Sequence, residues 1–527
     1  MHCVIGSGPA GVTCAKALLA RGANVLMLDA GLELEPDRAQ IVRHLASLKP
    51  AEWPPEQIAK LKEGMAADTT GIPLKLVFGS DFPYCDTREQ IPWEGPEVAI
   101  QPSLALGGLS NTWGAAMLPY CEADIAGWPI SIQDLAPHYR AVAKITHLAA
   151  QPDALAQLFP LYCDDAPPVP PSRQASLLLN RLNRHRAHFQ ERGWHFGRAR
   201  VAVRVADTGR SIGCIRCGFC MYGCPYGCIY NSAETVNTLR ADPRFTYQGD
   251  VIVTRLRESP GRVAIEGFHR QTRAPLAFEA DRAYLAAGII PTAQILLRSQ
   301  SAYDQPLRLR DSQYFLLPLV MARRTRDVQT ESLYTLSQVF IELRRPQISR
   351  HTIHLQIYTW SDVVGQAVRK SLGPLKFLAP PLEDRMLIVQ GFLHSEDSRS
   401  ISITLRRTGD GRDCLHLNPE PKPQARFTVK RVVRELLRQA PRLGGLVLPP
   451  MLQLAKPGRS FHCGGSIPMR QQPGPWESDR LGRPHGWTRV HAVDATVLPS
   501  VPATTITFSV MANAHRIGWE SASKELG

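Results

Sequence analysis

A glycine turn set between a short apolar strand and a helix constrains this chain more than any other feature. His2 to Ile5 reads as a strand, Gly6-Ser-Gly8-Pro-Ala-Gly11 follows, Val12 to Ala20 reads as a helix, and Arg21-Gly22 stops it. Asn24 to Leu28 reads as a second strand, ending in Asp29. Strand, glycine turn, helix, strand, acid is the opening of a Rossmann-type dinucleotide-binding unit. Gly6 would make the turn, Gly8 would admit a pyrophosphate, and Gly11 would let helix and strand pack closely. The helix N-terminus would face the phosphates. Asp29 would accept from a ribose hydroxyl.

A second signal is the run Cys214-Ile-Arg-Cys217-Gly-Phe-Cys220-Met-Tyr-Gly-Cys224-Pro225, with Cys228 close behind. Its C-x2-C-x2-C-x3-C-P spacing is that of bacterial ferredoxin ligands. Thiolates are soft and favour iron–sulfur clusters, zinc or copper(I). Structural zinc usually takes two separated knuckles, so an iron–sulfur cluster on Cys214, Cys217, Cys220 and Cys224 leads. Zinc, disulfides and free thiols are the alternatives. Four thiolates favour [4Fe–4S], with [3Fe–4S] the other form. Cys228 is a fifth thiol, an alternate ligand or a buried residue. Gly213, Gly218, Gly223 and Gly227 would let the loop wrap and aim amides at sulfur.

With 527 residues the chain needs two or three domains. The net charge of +14 admits an anionic partner. No dense Lys/Arg run is interleaved with aromatics, which argues against nucleic acid. An acidic electron-transfer protein fits the charge better, and an arginine-rich solvated surface explains it equally well. No apolar run reaches 18 residues, so no spanning helix is expected. The chain passes from Met1 directly into a strand, and the thiols suit a reducing compartment. A cytoplasmic location is the expectation, with export alongside a partner left open.

Further along, residues 36–100 are proline-rich and read as irregular apart from a helix near Glu56–Glu63. Ser172 to Gly193 reads as an amphipathic helix and Ala233 to Leu239 as a short one. Val251 to Leu256, Arg262 to Gly267 and Tyr284 to Gly288 read as strands, the last leading into a helix through Leu297. Phe315–Ala322, Leu336–Leu343, Thr352–Tyr358, Met386–Phe392 and Ser400–Leu405 read as strands, several of them alternating in polarity like a half-buried antiparallel sheet. Phe427 to Gln439 and Thr505 to Ile517 read as helices.

Six segments together resemble the glucose–methanol–choline (GMC) family of FAD oxidoreductases. They are the GSGPAG turn, Ala105-Leu-Gly-Gly-Leu-Ser-Asn-Thr-Trp-Gly114, Asp134-Leu-Ala-Pro-His-Tyr139, Ala286-Ala-Gly288, His462 with its glycines, and Val493-Asp-Ala-Thr-Val-Leu-Pro499. The resemblance implies an α/β chain, α+β overall. A discontinuous Rossmann-type FAD-binding domain would be assembled from 1–35, 80–135, 246–300 and 456–527. A substrate domain over 301–455 would be built on an antiparallel β-sheet. Residues 136–245 would be helix and loop, carrying the cysteine loop at 211–230.

The resemblance also implies residue roles. Gly107 and Gly108 would approach the pyrophosphate and flavin. Ser110 and Asn111 would meet the isoalloxazine edge, Val253 the adenine through its backbone, and Asp494 the ribityl–phosphate region. His462 would be the base, since histidine titrates near neutrality. Thr505 stands where the family usually has Asn or His; its hydroxyl would orient the substrate or cap the helix. Thr112 stands where some members tether the cofactor through histidine, so non-covalent FAD is expected.

The activity implied is oxidation of a CH–OH group of a sugar, polyol or related small-molecule alcohol by hydride transfer to flavin N5. The cysteine loop is similar in arrangement to sugar dehydrogenase subunits that hand electrons from an iron–sulfur cluster to a cytochrome. A ferredoxin or cytochrome would then take the electrons. Three alternatives stand beside this: a reductase fed by ferredoxin, an oxygen-using oxidase with a structural metal loop, and a non-catalytic redox subunit.

Overall fold

The structure, a computed structural model, describes residues 1–64, 72, 74–209 and 212–522. Five strands lie parallel in the order Val490–Ala492, Arg282–Leu285, His2–Ile5, Val25–Leu28, Phe245–Gln248. Burial on both faces explains why the central strands His2–Ile5 and Val25–Leu28 read as near-continuous apolar runs instead of alternating. Val4, Val25 and Met27 face the helices Pro9–Ala20 and Ile506–Ala522. Cys3, Ile5, Leu26 and Leu28 share the other face with Leu256, Val263 and Ile265 of a three-stranded antiparallel sheet. The Tyr284 hydroxyl lies 3.3 Å from His2 Nδ1 and 2.9 Å from the Ser521 hydroxyl, so it ties the first strand to the last helix.

A second sheet runs Gly445–Val447, Tyr314–Met321, Met386–Phe392, Ile353–Tyr358, Val339–Leu343, Trp194–Arg198, with all pairs antiparallel. Leu317, Leu319, Val389, Leu355, Ile357 and Ile341 pack one face against the helices Arg173–Arg184 and Pro423–Leu443. The register sets the other face. Tyr314 pairs with Phe392, Phe392 with His354, and His354 with Glu342. One row further on, Gln390 pairs with Gln356. Strand alternation therefore gives this sheet one oily face and one face of aromatic and polar side chains.

Several expectations change. The β-rich part forms two sheets: Pro306–Asp311, Ser400–Arg407 and Asp413–Glu420 join Trp93–Glu94 and Cys463–Gly464 in a separate one. The second sheet is not confined to 301–455, because its edge strand Trp194–Arg198 comes from the region read as helix and loop. Residues 36–100 are not irregular throughout, since Pro36–Ser47 is a helix. Pro36, Pro50 and Pro55 each occupy a first helical position, where a missing N–H costs nothing. The same rule starts the first helix at Pro9, three residues before the expected Val12.

Candidate functional site

The glycine turn forms an open cradle. A Cβ built on Gly8 would meet nothing within 4 Å, and the helix that begins beside it has no side-chain cap. Its first N–H groups have no side-chain cap and lie at the positive end of the helix dipole. Gly6 and Gly11 are required for closeness instead: a Cβ on Gly11 would lie 1.9 Å from the Gly6 carbonyl oxygen. The Gly107–Gly108 turn reaches the same place from a hundred residues away. The Gly107 N–H donates to the Ser7 hydroxyl at 2.9 Å, and a Cβ on Gly108 would stand 3.3 Å from Gly8 Cα. A cradle with open glycine backbone and unsatisfied amides fits a dinucleotide pyrophosphate.

The polar residues around this cradle mostly hold protein. Asp29 accepts from the Ser7 N–H at 3.0 Å, the Ser7 hydroxyl at 2.7 Å and the Tyr247 hydroxyl at 3.2 Å. Burial pushes its carboxyl up to about 6, against the pull of those donors. The Ser110 hydroxyl donates to the Gly107 carbonyl at 2.6 Å and accepts from the Ser232 N–H at 3.0 Å. The Asn111 amide donates to the Leu106 and Gly108 carbonyls at 2.9 and 2.8 Å and accepts from Asn231 at 2.7 Å. Both side chains therefore brace the second glycine turn. Asp494 receives four donors: the Gly288 N–H at 3.0 Å, the Thr292 hydroxyl at 2.6 Å, and the Thr496 N–H and hydroxyl at 3.0 and 2.7 Å. Val253 is half-buried and adjoins a register shift between Val253 and Arg255.

His462 sits across from the polar sheet face. Its ring stacks on Phe392 at 4.6 Å between centroids, and Phe392 stacks in turn on Tyr314 at 5.3 Å. Its Nδ1 is buried and has no hydrogen-bond partner among the described residues. Burial, and then the His354 ring, pull its pKa down to about 3, so the imidazole is neutral. Beyond Phe392, His354 Nδ1 lies 2.5 Å from Glu342 Oε1, with both side chains fully buried. The strand Cys463–Gly464 fixes the loop that carries His462. Asp311 is its hub, accepting from the Gly458 N–H at 3.1 Å, the Ser460 hydroxyl at 2.9 Å and the Cys463 thiol at 3.2 Å.

Thr505 lies just before the final helix, and its hydroxyl accepts from the Leu118 N–H at 2.7 Å. It tethers residue 118. Its neighbour Thr504 is the one whose buried hydroxyl lacks a partner among the described residues. Tyr358 is half-buried on the polar sheet face, and a Cβ on Gly114 would stand 3.2 Å from its hydroxyl.

Cys214, Cys217, Cys220, Cys224 and Cys228 line one cleft, closed by Val203, Tyr334 and Leu336. All twelve cysteines are free thiols. Backbone amides point at two of the sulfurs: Cys228 N–H at Cys224 Sγ, 3.2 Å, and Thr335 N–H at Cys220 Sγ, 3.5 Å. Interaction with Cys228 pulls the Cys224 thiol below its ordinary value, whereas burial pushes Cys220 up to about 11. Among the described residues no three His, Cys, Asp or Glu side chains converge tightly enough to hold a single metal ion. Tetrahedral zinc, with bonds of about 2.3 Å, needs that convergence.

Sequence reasoning missed Lys75, which carries no motif. Its half-buried ammonium donates to the Trp113 carbonyl at 3.2 Å. Burial pulls its pKa down to about 8, and the neighbouring Cys220 and Cys224 sulfurs pull it up. Trp113 itself donates from Nε1 to the Tyr230 carbonyl at 2.9 Å. The thiol cleft and the second glycine turn are therefore joined through residues 75, 113 and 230.

No family model and no curated protein matches the sequence. Solved structures do match. The chain shares the fold of a pyridoxine 4-oxidase. That protein, from Mesorbium loti, superposes with a TM-score of 0.60 over 98% of both chains at 15% identity. The match to pyridoxine 4-oxidase spans the parallel-sheet half and the antiparallel half together. It bears out the fold class expected from the sequence, a Rossmann-type domain assembled from separated segments beside an antiparallel sheet domain. Among the described residues no helix is long and apolar enough to cross a membrane.

Proposed function

We propose that this protein is an FAD- and iron–sulfur-dependent dehydrogenase that oxidises a CH–OH group of a sugar, polyol or related alcohol and passes the electrons singly to an external acceptor. The observation that carries this reading is the placement of five thiols on one cleft, joined through Trp113 to the glycine turn at residues 107–108. Bound FAD would supply a two-electron hydride acceptor, and a cluster would supply one-electron steps outward. Gly6, Gly8, Gly11, Gly107 and Gly108 would hold the dinucleotide, with Asp29, Ser110, Asn111, Val253 and Asp494 shaping its surroundings. Cys214, Cys217, Cys220 and Cys224 would hold the cluster.

His462 is the residue that moves the proton. Its neutral Nδ1, with no protein partner, would accept the substrate hydroxyl proton as the carbon–hydrogen bond yields its electron pair. The carbonyl product forms as the C–O bond gains its second pair. Thr504 and Thr505 lie at the edge of this site. The polar sheet face, with Tyr314, Gln390, Gln356 and Tyr358, would receive the rest of the alcohol. The net charge of +14 suits an acidic ferredoxin or cytochrome as acceptor.

The test is anaerobic purification, with iron, acid-labile sulfide, zinc and flavin counted per chain and EPR recorded before and after dithionite. About four iron, four sulfide and one FAD are expected. Zinc without sulfide would overturn the dehydrogenase reading. A second reading then leads, an oxygen-using alcohol oxidase, favoured by the fold shared with a pyridoxine 4-oxidase. Rapid peroxide formation with alcohol would identify it.

A further inference from the structure

Lys75 is a half-buried cation close to the thiol cleft, and the proposed reaction leaves it without a role. Residues 74–80 lie across the cysteine loop. The Phe78 N–H donates to the Tyr222 carbonyl at 2.6 Å, and the Phe78 ring fills the space a side chain at Gly223 would need, 2.6 Å from its Cβ. The Tyr84 hydroxyl donates to the Lys75 carbonyl at 3.1 Å, which holds the backbone of residue 75 in place. The ammonium then has two neighbours of opposite kinds. It interacts electrostatically with the Cys220 and Cys224 sulfurs, and it donates to the Trp113 carbonyl at 3.2 Å. Trp113 lies in the segment whose Gly108 faces Gly8 of the dinucleotide cradle.

We infer that Lys75 sets the reduction potential of the thiolate-held cluster and fixes its position against the flavin-binding turn. This rests on the iron–sulfur reading above. A cluster gains one negative charge when reduced, and a fixed positive charge in a low-dielectric setting favours the more negative form. Lys75 therefore makes the cluster a better electron acceptor for the flavin. The N–H groups of Cys228 and Thr335, aimed at Cys224 and Cys220, act in the same direction. Lys75 is thus a positioning residue and does not touch the substrate carbon.

The experiment uses anaerobically purified full-length wild type, Lys75→Met and Lys75→Arg. Iron and sulfide are counted first, and the cluster's midpoint is then read by EPR during a potentiometric titration. Lys75→Met keeps the stem and loses the charge. It should retain iron and sulfide while its oxidised-to-reduced ratio shifts about tenfold toward oxidised, a midpoint lower by about 59 mV for one electron. Lys75→Arg should stay near wild type. Equal midpoints in iron-loaded wild type and Lys75→Met overturn the inference while leaving the cluster reading intact. Loss of iron in both variants also overturns it, because the side chain would then matter by shape alone. Wild type without iron and sulfide overturns the cluster reading and this inference with it.

Discussion

Asp311 offers a measurement that separates charge from shape at the loop carrying His462. Burial raises its carboxyl from 3.8 to about 6, although hydrogen bonds from Gly458, Cys463, Ser460 and Ser312 pull the other way. Ionising it inside the folded protein therefore costs about 3 kcal/mol more than in the unfolded chain. The folded value is raised, so the cost is absent below pH about 4 and complete above about 6, and wild-type stability falls as pH rises through that window. Asp311→Asn keeps the shape and does not titrate. Its amide nitrogen must face at least one of the donors now on the carboxylate, Gly458 N–H on one oxygen or Ser460 and Cys463 on the other. A buried donor left unpaired costs about 1–3 kcal/mol. About 1 kcal/mol of the wild-type ionisation cost is already present at pH 4.5, so the variant should be less stable there by up to about 2 kcal/mol. The two should come close to equal, or reverse, at pH 8. Guanidinium unfolding of flavin-free protein at both pH values, followed by tryptophan fluorescence, gives the difference directly, and every other titrating group cancels between the two proteins. A gap that stays constant from pH 4.5 to pH 8 would show that Asp311 is not held neutral by burial.

His462→Gln should slow flavin reduction by alcohol about 10²- to 10⁴-fold in stopped-flow while leaving FAD content unchanged. Gly8→Ala should leave the apoprotein's unfolding midpoint in place and weaken FAD binding, because its Cβ enters only open space. Gly11→Ala should lower the midpoint itself, since its Cβ meets the Gly6 carbonyl at 1.9 Å; the two readouts moving together in both variants would contradict this. His491 is buried, stacks on Tyr284, and is held down to about 4 chiefly by burial. Its contribution is complete above pH about 6.5 and lost toward pH 4, so His491→Gln should remove about 3 kcal/mol of the acid-induced loss of stability measured across that range.

What was legible in the sequence is what local spacing encodes. The glycine turn, its helix and its strand depend on neighbours within about thirty residues, and the structure places them as expected. Met386–Phe392 was legible because its alternation reports one buried face directly. Trp194–Arg198 was not, since its partner Val339–Leu343 lies some 140 residues further on and nothing local marks an edge strand. Pro36–Ser47 was hidden because proline reads as a breaker until its position in the first turn is known. At the site, residue type was easier to read than direction. Ser110 and Asn111 lie in the expected loop, yet their side chains turn back to brace it. Lys75, Tyr247 and Asp311 escaped because their partners are distant in sequence.

The pairing of His2 and Ser521 through Tyr284 has a consequence for biogenesis. The cradle strand is translated well before its sheet neighbours at 282–285 and 490–492 and its covering helix at 506–522. At about 5–20 residues per second, the turn that would hold the dinucleotide waits roughly half a minute or longer for its roof. The thiol cleft closes sooner, once residues 333–336 have been made. A ribosome-bound nascent chain would therefore present a finished thiol pocket before a finished nucleotide pocket, and removing residues 506–522 would cost the first fifteen residues their fold.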